Sequence, residues 1–229
     1  MWGSPGTMIA ARTCGLEDEW HDSASRLWAR WGETSDIWTQ DIYGRTRTFL
    51  GPVHGFAGNV HALRGFVGDE VLRARVTRLL ERTAGREDGM INWPPEDGPL
   101  SDYLSSIRMQ WCHGAPGIVA TMGDLIPREL AVGAGEAIWQ AGPLRKGPGL
   151  CHGTAGNGFA FLKLHVLTGE PRWLERARRF AMHAIEQVAR QRTEFGRGRY
   201  TLWTGDVGVA LYLDACLEVR DALPTMEVL

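Results

Sequence analysis

Apolar positions along the chain recur at helical spacing, and they do so in two ways. Some stretches carry a single apolar stripe with charged residues opposite. Over residues 17–33 the stripe is Trp20, Ala24, Leu27, Trp28 and Trp31, and over 69–82 it is Val71, Leu72, Val76, Leu79 and Leu80. From Pro171 to about Gln191 it is Trp173, Ala177, Phe180, Ala181, Ala184, Ile185 and Val188. Steps of three and four residues put each set on one face of an amphipathic helix. Residues 128–140 predict another outer helix. Other runs are largely apolar: 7–11, about 58–66, a run starting near Pro116, 156–167 and 208–219. Helices of that kind are buried. The two kinds alternate, so the pattern predicts an all-α chain of inner and outer helices. Residues 34–53 (with Trp38, Tyr43 and Gly44), 85–100 and 193–203 read as irregular connections. Cys14 and Cys216 sit on apolar faces and read as core.

Each inner run is preceded by the same frame, Gly-x-x-Gly. Its first glycines are Gly3, Gly55, Gly114, Gly153 and Gly205, at intervals of 52, 59, 39 and 52 residues. Recurrence at this period signals a repeat architecture, here an (α/α) solenoid or toroid of helix pairs. A helix start packed tightly among neighbours needs the close backbone approach that glycine permits. Free N–H groups at such starts also favour anions. Five like helix starts point around a common mouth. The residues just before each frame should cluster there: Met1-Trp2, Val53-His54, Cys112-His113, Cys151-His152 and Trp203-Thr204.

With 229 residues, 44% of them hydrophobic, the chain is read as one domain over 1–229. A net charge of −2 gives no reason to expect nucleic acid. No apolar run reaches the roughly 20 residues that span a bilayer. No signal peptide is read at the N-terminus, so a cytoplasmic protein is the simplest expectation. The first Gly-x-x-Gly leads straight into an inner helix, which suggests that repeats are missing upstream. An exposed inner edge there predicts self-association or a partner supplying the missing half. Four cysteines in a chain of this length are no disulfide framework. Two of them directly precede histidine, which points to metal in a reducing compartment.

Cys112-His113-Gly-x-x-Gly and Cys151-His152-Gly-x-x-Gly are near-copies, with His54 in phase one repeat earlier. Cysteine and histidine at this density have the chemistry of zinc ligands. A single Cys-His dipeptide is more simply a core or capping pair. Two in one repeat frame, with a third histidine in register, favour a metal. Four ligands (Cys112, His113, Cys151 and His152) would close a structural site, and three would leave a catalytic position open. Spacing does not choose between them. Paired carboxylates for glycoside hydrolysis are lacking at the mouth positions.

The runs Trp-Cys-His-Gly-x-Pro-Gly, Gly-Leu-Cys-His-Gly-x-Ala-Gly-Asn and Gly-x-x-His-Gly-x-x-Gly-Asn resemble the lanthionine synthetase C-like family over essentially the whole chain. That family includes bacterial lantibiotic cyclases and glutathione-binding eukaryotic proteins. Lys146-Gly-x-Gly-Leu-Cys151 resembles the eukaryotic branch more closely. The resemblance implies Zn2+ held by Cys112, Cys151 and His152 with an open fourth position. It implies His54 as the catalytic histidine, Arg108 as an arginine near the active site, and Lys146 as a lysine near the thiol. His113 stands where cyclases often carry tyrosine, and is a further acid/base candidate. The family's toroid has seven inner helices against five here, and the aspartate that an early repeat supplies in the cyclases has no match.

The function so implied is zinc-dependent thiol activation and addition to dehydroalanine or dehydrobutyrine. The nucleophile is a peptide cysteine or glutathione, and the acceptor a peptide or protein carrying dehydroamino acids. The alternative is a zinc-containing glutathione- or peptide-binding protein, or an inactive fragment, without turnover.

Overall fold

The structure is a computed structural model and describes residues 3–32, 36–42, 44–98 and 107–226. Met1-Trp2 of the expected mouth, Tyr43 and Pro99 lie outside the described residues. The described part is all-α, with two short hairpins. The inner helices are α1 (Ser4–Thr13), α3 (Phe56–Ala62), α5 (Ala115–Met122), α7 (Thr154–Thr168) and α9 (Asp206–Glu218). The outer ones are α2 (Glu17–Ala29), α4 (Asp69–Thr83), α6 (Arg128–Ala141) and α8 (Pro171–Phe195). The inner helices pack in sequence, α1 on α3, α3 on α5, α5 on α7 and α7 on α9. Outer helices lie against them, α2 on α1, α6 on α5, and α8 on both α7 and α9. Helix α4 meets the arc at a 3₁₀ turn, Gly123–Leu125, that ends α5.

The apolar patterns explain this arrangement. In α7 every residue from Thr154 to Leu162 is buried, as its unstriped sequence requires. In α8 the stripe Trp173, Ala177, Phe180, Ala181 and Ala184 is buried. Burying one such large side chain contributes roughly 2–3 kcal/mol. Small residues set how near the layers come. A Cβ on Gly158 would lie 1.9 Å from the Tyr212 hydroxyl. That bare spot on α7 lets Tyr212 of α9 pass and donate to Ala177 O of α8 at 2.6 Å. That hydrogen bond ties α9 to α8 past the bare surface of α7.

Several expectations need correction. Residues 34–53 and 85–100 are not simply irregular. They hold antiparallel hairpins β1 (Gln40–Ile42) with β2 (Arg45–Arg47), and β3 (Gly85–Glu87) with β4 (Met90–Asn92). The second turns at Asp88 and Gly89, both with positive φ (48° and 78°), the geometry of a tight two-residue turn. Val71 and Ile185 are exposed rather than part of the buried stripes. Cys14 is exposed, because α1 ends one residue before it, whereas Cys216 is core as expected. No helix among the described residues is long and apolar enough to cross a membrane.

Candidate metal centre

The turns before the inner helices share one construction. The first helical N–H donates backwards to a carbonyl seven residues earlier: Phe56 to Phe49 (2.8 Å), Thr154 to Gly147 (3.0 Å) and Asp206 to Arg199 (2.7 Å). For α5 the Ala115 N–H instead donates to the Asn92 side-chain oxygen at 2.7 Å. These four leading donors are therefore taken up by protein acceptors, so the starts of α3, α5, α7 and α9 offer less to an anion than the sequence suggests. The glycines make the fold-back possible. A Cβ on Gly117 or Gly156 would lie 1.8 Å from the carbonyl oxygen of Trp111 or Leu150, respectively, in its own turn. Only a bare α-carbon fits.

Neighbouring turns are joined by backbone. Cys112 N–H donates to Cys151 O at 3.0 Å, and Cys151 N–H donates to Trp203 O at 2.8 Å. Trp111 stacks on Trp203 with ring centroids 4.6 Å apart. The turn before α3 closes the row on the other side, since a Cβ on Gly51 would lie 2.1 Å from Cys112 O. The backbone rungs set Cys112 and Cys151 side by side.

There the Cys112 and Cys151 sulfurs and a His152 ring nitrogen lie within 4.8 Å of one another. Ligands on one tetrahedral zinc would sit about 3.5–3.8 Å apart, given Zn–S and Zn–N bonds of about 2.3 and 2.0 Å. Small side-chain adjustments reach that spacing, and two thiols with one imidazole are a donor set suited to zinc. The residues therefore fit a metal ion. Cys112 is buried, whereas Cys151 and His152 are half-buried, so the cluster faces outward on one side. The two sulfurs titrate as a pair. The Cys112 thiol beside it, and then His152, pull Cys151 down to about 6. The same contact, together with burial, pushes Cys112 up.

His113 is not part of this cluster. Its ring centroid lies 5.6 Å from that of His54 and 5.6 Å from that of Phe49, and Phe49 is 4.8 Å from His54. Burial, then the charges of His54 and Arg108, lower His113 to about 4. Burial also lowers His54. Both shifts favour the neutral imidazole. His54 opens on a cavity of about 560 Å3 lined also by Trp38, Gln40, Asp41 and Asn59. The exposed Arg108 is felt electrostatically at His113, and its carbonyl accepts from Asn92 Nδ2 at 3.2 Å.

The family model for lanthionine synthetase C-like protein matches residues 18–228. The chain belongs to the lanthionine synthetase C-like family. Among curated relatives, it is 34% identical over 196 residues to LanC-like protein GCL1 of Arabidopsis thaliana, covering 79% of this chain and 43% of that protein. It is 31% identical over 202 residues to a Danio rerio protein named Glutathione S-transferase LANCL1, covering 83% of this chain and 47% of that one. The LanC-like chain thus spans a little under half the length of these relatives.

Two residues of this LanC-like site were not singled out from the sequence. Gln110 is buried, donates from Nε2 to Cys112 Sγ at 3.0 Å, and accepts from Lys146 Nζ in a long hydrogen bond of 3.4 Å. Asn92, at the end of β4, accepts from Trp93 N–H as well as Ala115 N–H and holds Arg108 O. Gln110 stands directly before the Trp-Cys-His-Gly run, two residues before a candidate ligand, and that position was its only signal. Asn92 acts across more than twenty residues, and no local pattern announces it.

Proposed function

We propose that this chain carries a zinc-dependent site for adding a thiol to an electron-poor alkene of the dehydroalanine or dehydrobutyrine type. Cys112, Cys151 and His152 would hold the ion, while His113, paired with His54, stays out of the ligand set. That separation of His113 from the three-donor cluster is the observation that carries the reading. When bound, zinc lowers the pKa of a thiol taking its open position.

The other groups divide the remaining work. His54, kept neutral by burial, takes the thiol proton as a general base. The sulfur–carbon bond forms at the β-carbon while the alkene π pair moves toward the α-carbon and its carbonyl. The Arg108 cation stabilises the resulting enolate charge. His54, or His113 beside it, returns the proton to the α-carbon, so the product holds every atom of both reactants. Glutathione is favoured over a peptide cysteine as the thiol. The name of the zebrafish relative supports this, and Lys146 beside the cluster offers a cation for a glutathione carboxylate. The acceptor is a dehydroamino-acid peptide or protein. The same reading takes residues 1–229 as one domain working in a reducing compartment, the cytoplasm, which suits thiolate ligands.

A second reading is binding of glutathione or a peptide without turnover. It is favoured by the burial of both histidines, which pushes each below the usual imidazole range and so works against a charged proton donor. Metal analysis and a product assay separate the two. About one zinc per chain, lost in Cys151→Ala, together with a mass increase of a dehydroalanine peptide by one glutathione, is the expected result. Zinc and glutathione binding with no adduct leaves the second reading. Folded protein without zinc overturns both.

A further inference from the structure

The proposed site brings three sulfurs together: those of Cys112, Cys151 and the incoming thiol. An electrophile delivered there must meet the substrate sulfur and not a ligand. We infer that Gln110, oriented by Lys146, is a positioning residue that suppresses attack by Cys112. This rests on the metal-site reading above.

Gln110 is 7% exposed and its backbone is fixed. Its N–H donates to His113 O at 3.2 Å, and His113 N–H donates back to Gln110 O at 3.0 Å. The side chain then has Cys112 Sγ at 3.0 Å on one end and Lys146 Nζ at 3.4 Å on the other. A carboxamide can be turned end for end, but its neighbours decide the direction here. A lysine ammonium only donates, and Cys112 as an ion-held thiolate would only accept. The carbonyl end must therefore face Lys146, and the NH2 end must face Cys112. An N–H donated to a thiolate draws electron density from the sulfur and lowers its nucleophilicity. Outer hydrogen bonds of this kind tune metal ligands by an order of magnitude or more. Lys146 reaches the cluster from the exposed rim, so its effect on Cys112 passes through the amide.

The test is competitive alkylation of the zinc-loaded full chain by iodoacetamide, with Cys151 as internal reference. Each event forms an Sγ–carbon bond and releases iodide, and peptide mass spectrometry reads the ratio of Cys112 to Cys151 modification. In Gln110→Leu the ratio should rise about tenfold, at the lower end of the usual outer-sphere effect. Lys146→Met should raise it less, about threefold, and Lys146→Arg should leave it near wild type, because a donor is restored. Adding Lys146→Met to Gln110→Leu should change nothing further. In cobalt-substituted protein the sulfur-to-metal charge-transfer band should move to longer wavelength in Gln110→Leu. An unchanged ratio in Gln110→Leu with zinc retained overturns the inference alone, as does a full additional effect of Lys146→Met in the double variant. Should Gln110→Leu fail to fold, Lys146→Met and Lys146→Arg decide: equal ratios in both overturn it. A wild type that binds no zinc overturns the metal-site reading as well, which metal analysis shows separately.

Discussion

Asn92 offers the sharpest test of how the metal turn is built. Its side-chain oxygen accepts from Ala115 N–H at 2.7 Å and Trp93 N–H at 2.9 Å, while Nδ2 donates to Arg108 O at 3.2 Å. Asn92→Ala removes all three bonds and leaves the first N–H of α5 without its acceptor. A typical net hydrogen bond contributes about 1 kcal/mol, and an orphaned buried donor costs about 1–3 kcal/mol. The site is only half-buried, so water recovers part of the loss. The expected destabilisation is about 2–3 kcal/mol. Asn92→Asp keeps the acceptor and loses only the donor, and should cost about 1 kcal/mol. Urea unfolding followed by tryptophan fluorescence gives both values, and zinc affinity should fall in the same order because Cys112 lies between Arg108 and Ala115. A loss below about 0.5 kcal/mol for alanine, within the range of ordinary surface changes, would refute the reasoning. So would an aspartate variant no better than the alanine one.

Gly156→Ala should be among the most damaging single-methyl changes, because the new Cβ would sit 1.8 Å from Leu150 O, a backbone atom that cannot swing away. A loss above about 4 kcal/mol, or no soluble protein, is expected. Gly68→Ala, with open space around it, should lie within about 1 kcal/mol of wild type, and equal unfolding midpoints for the two variants would contradict the turn geometry. His113 gives a pH signature in metal-stripped protein. Its folded pKa of about 4 lies below the unfolded 6.5, so the unfolded chain takes up a proton that the folded one resists. Stability is therefore full above about 6.5 and falls as pH drops toward 4, by up to about 3 kcal/mol. Unfolding midpoints measured from pH 7 to pH 4 should slope less in His113→Phe, and parallel slopes would contradict the assignment.

The long helices were legible because their pattern is local. The stripe beginning at Trp173 and the unstriped run after Gly156 each specify a buried surface within a few turns, and α8 and α7 follow them. Even there α8 runs on to Phe195, past the last stripe residue, since an exposed helix end needs no apolar partner. The hairpin at Asp88-Gly89 was missed although that dipeptide is a turn signal, because the Gly and Pro residues around it read as loop. The Cys-His frames were visible, and so was the period that brings them together. The pairing of His113 with His54 and the bridges made by Gln110 and Asn92 were not, because they depend on how adjacent turns stack. Glycine was rightly expected to permit close approach, but before α3, α7 and α9 the turn folds onto its own carbonyls, which take the leading N–H that would have drawn an anion.

The rungs from Cys112 to Cys151 and from Cys151 to Trp203 are amide-to-carbonyl bonds and involve no sulfur. The cage is thus framed by main chain, and an ion held there would be a removable fitting. Chelation should cost this fold little of its helical structure, unlike small domains that collapse when stripped of zinc. On the proposed metal-site reading, loading and unloading would be reversible operations on a standing framework, and the protein would persist as an empty vessel open to recharging.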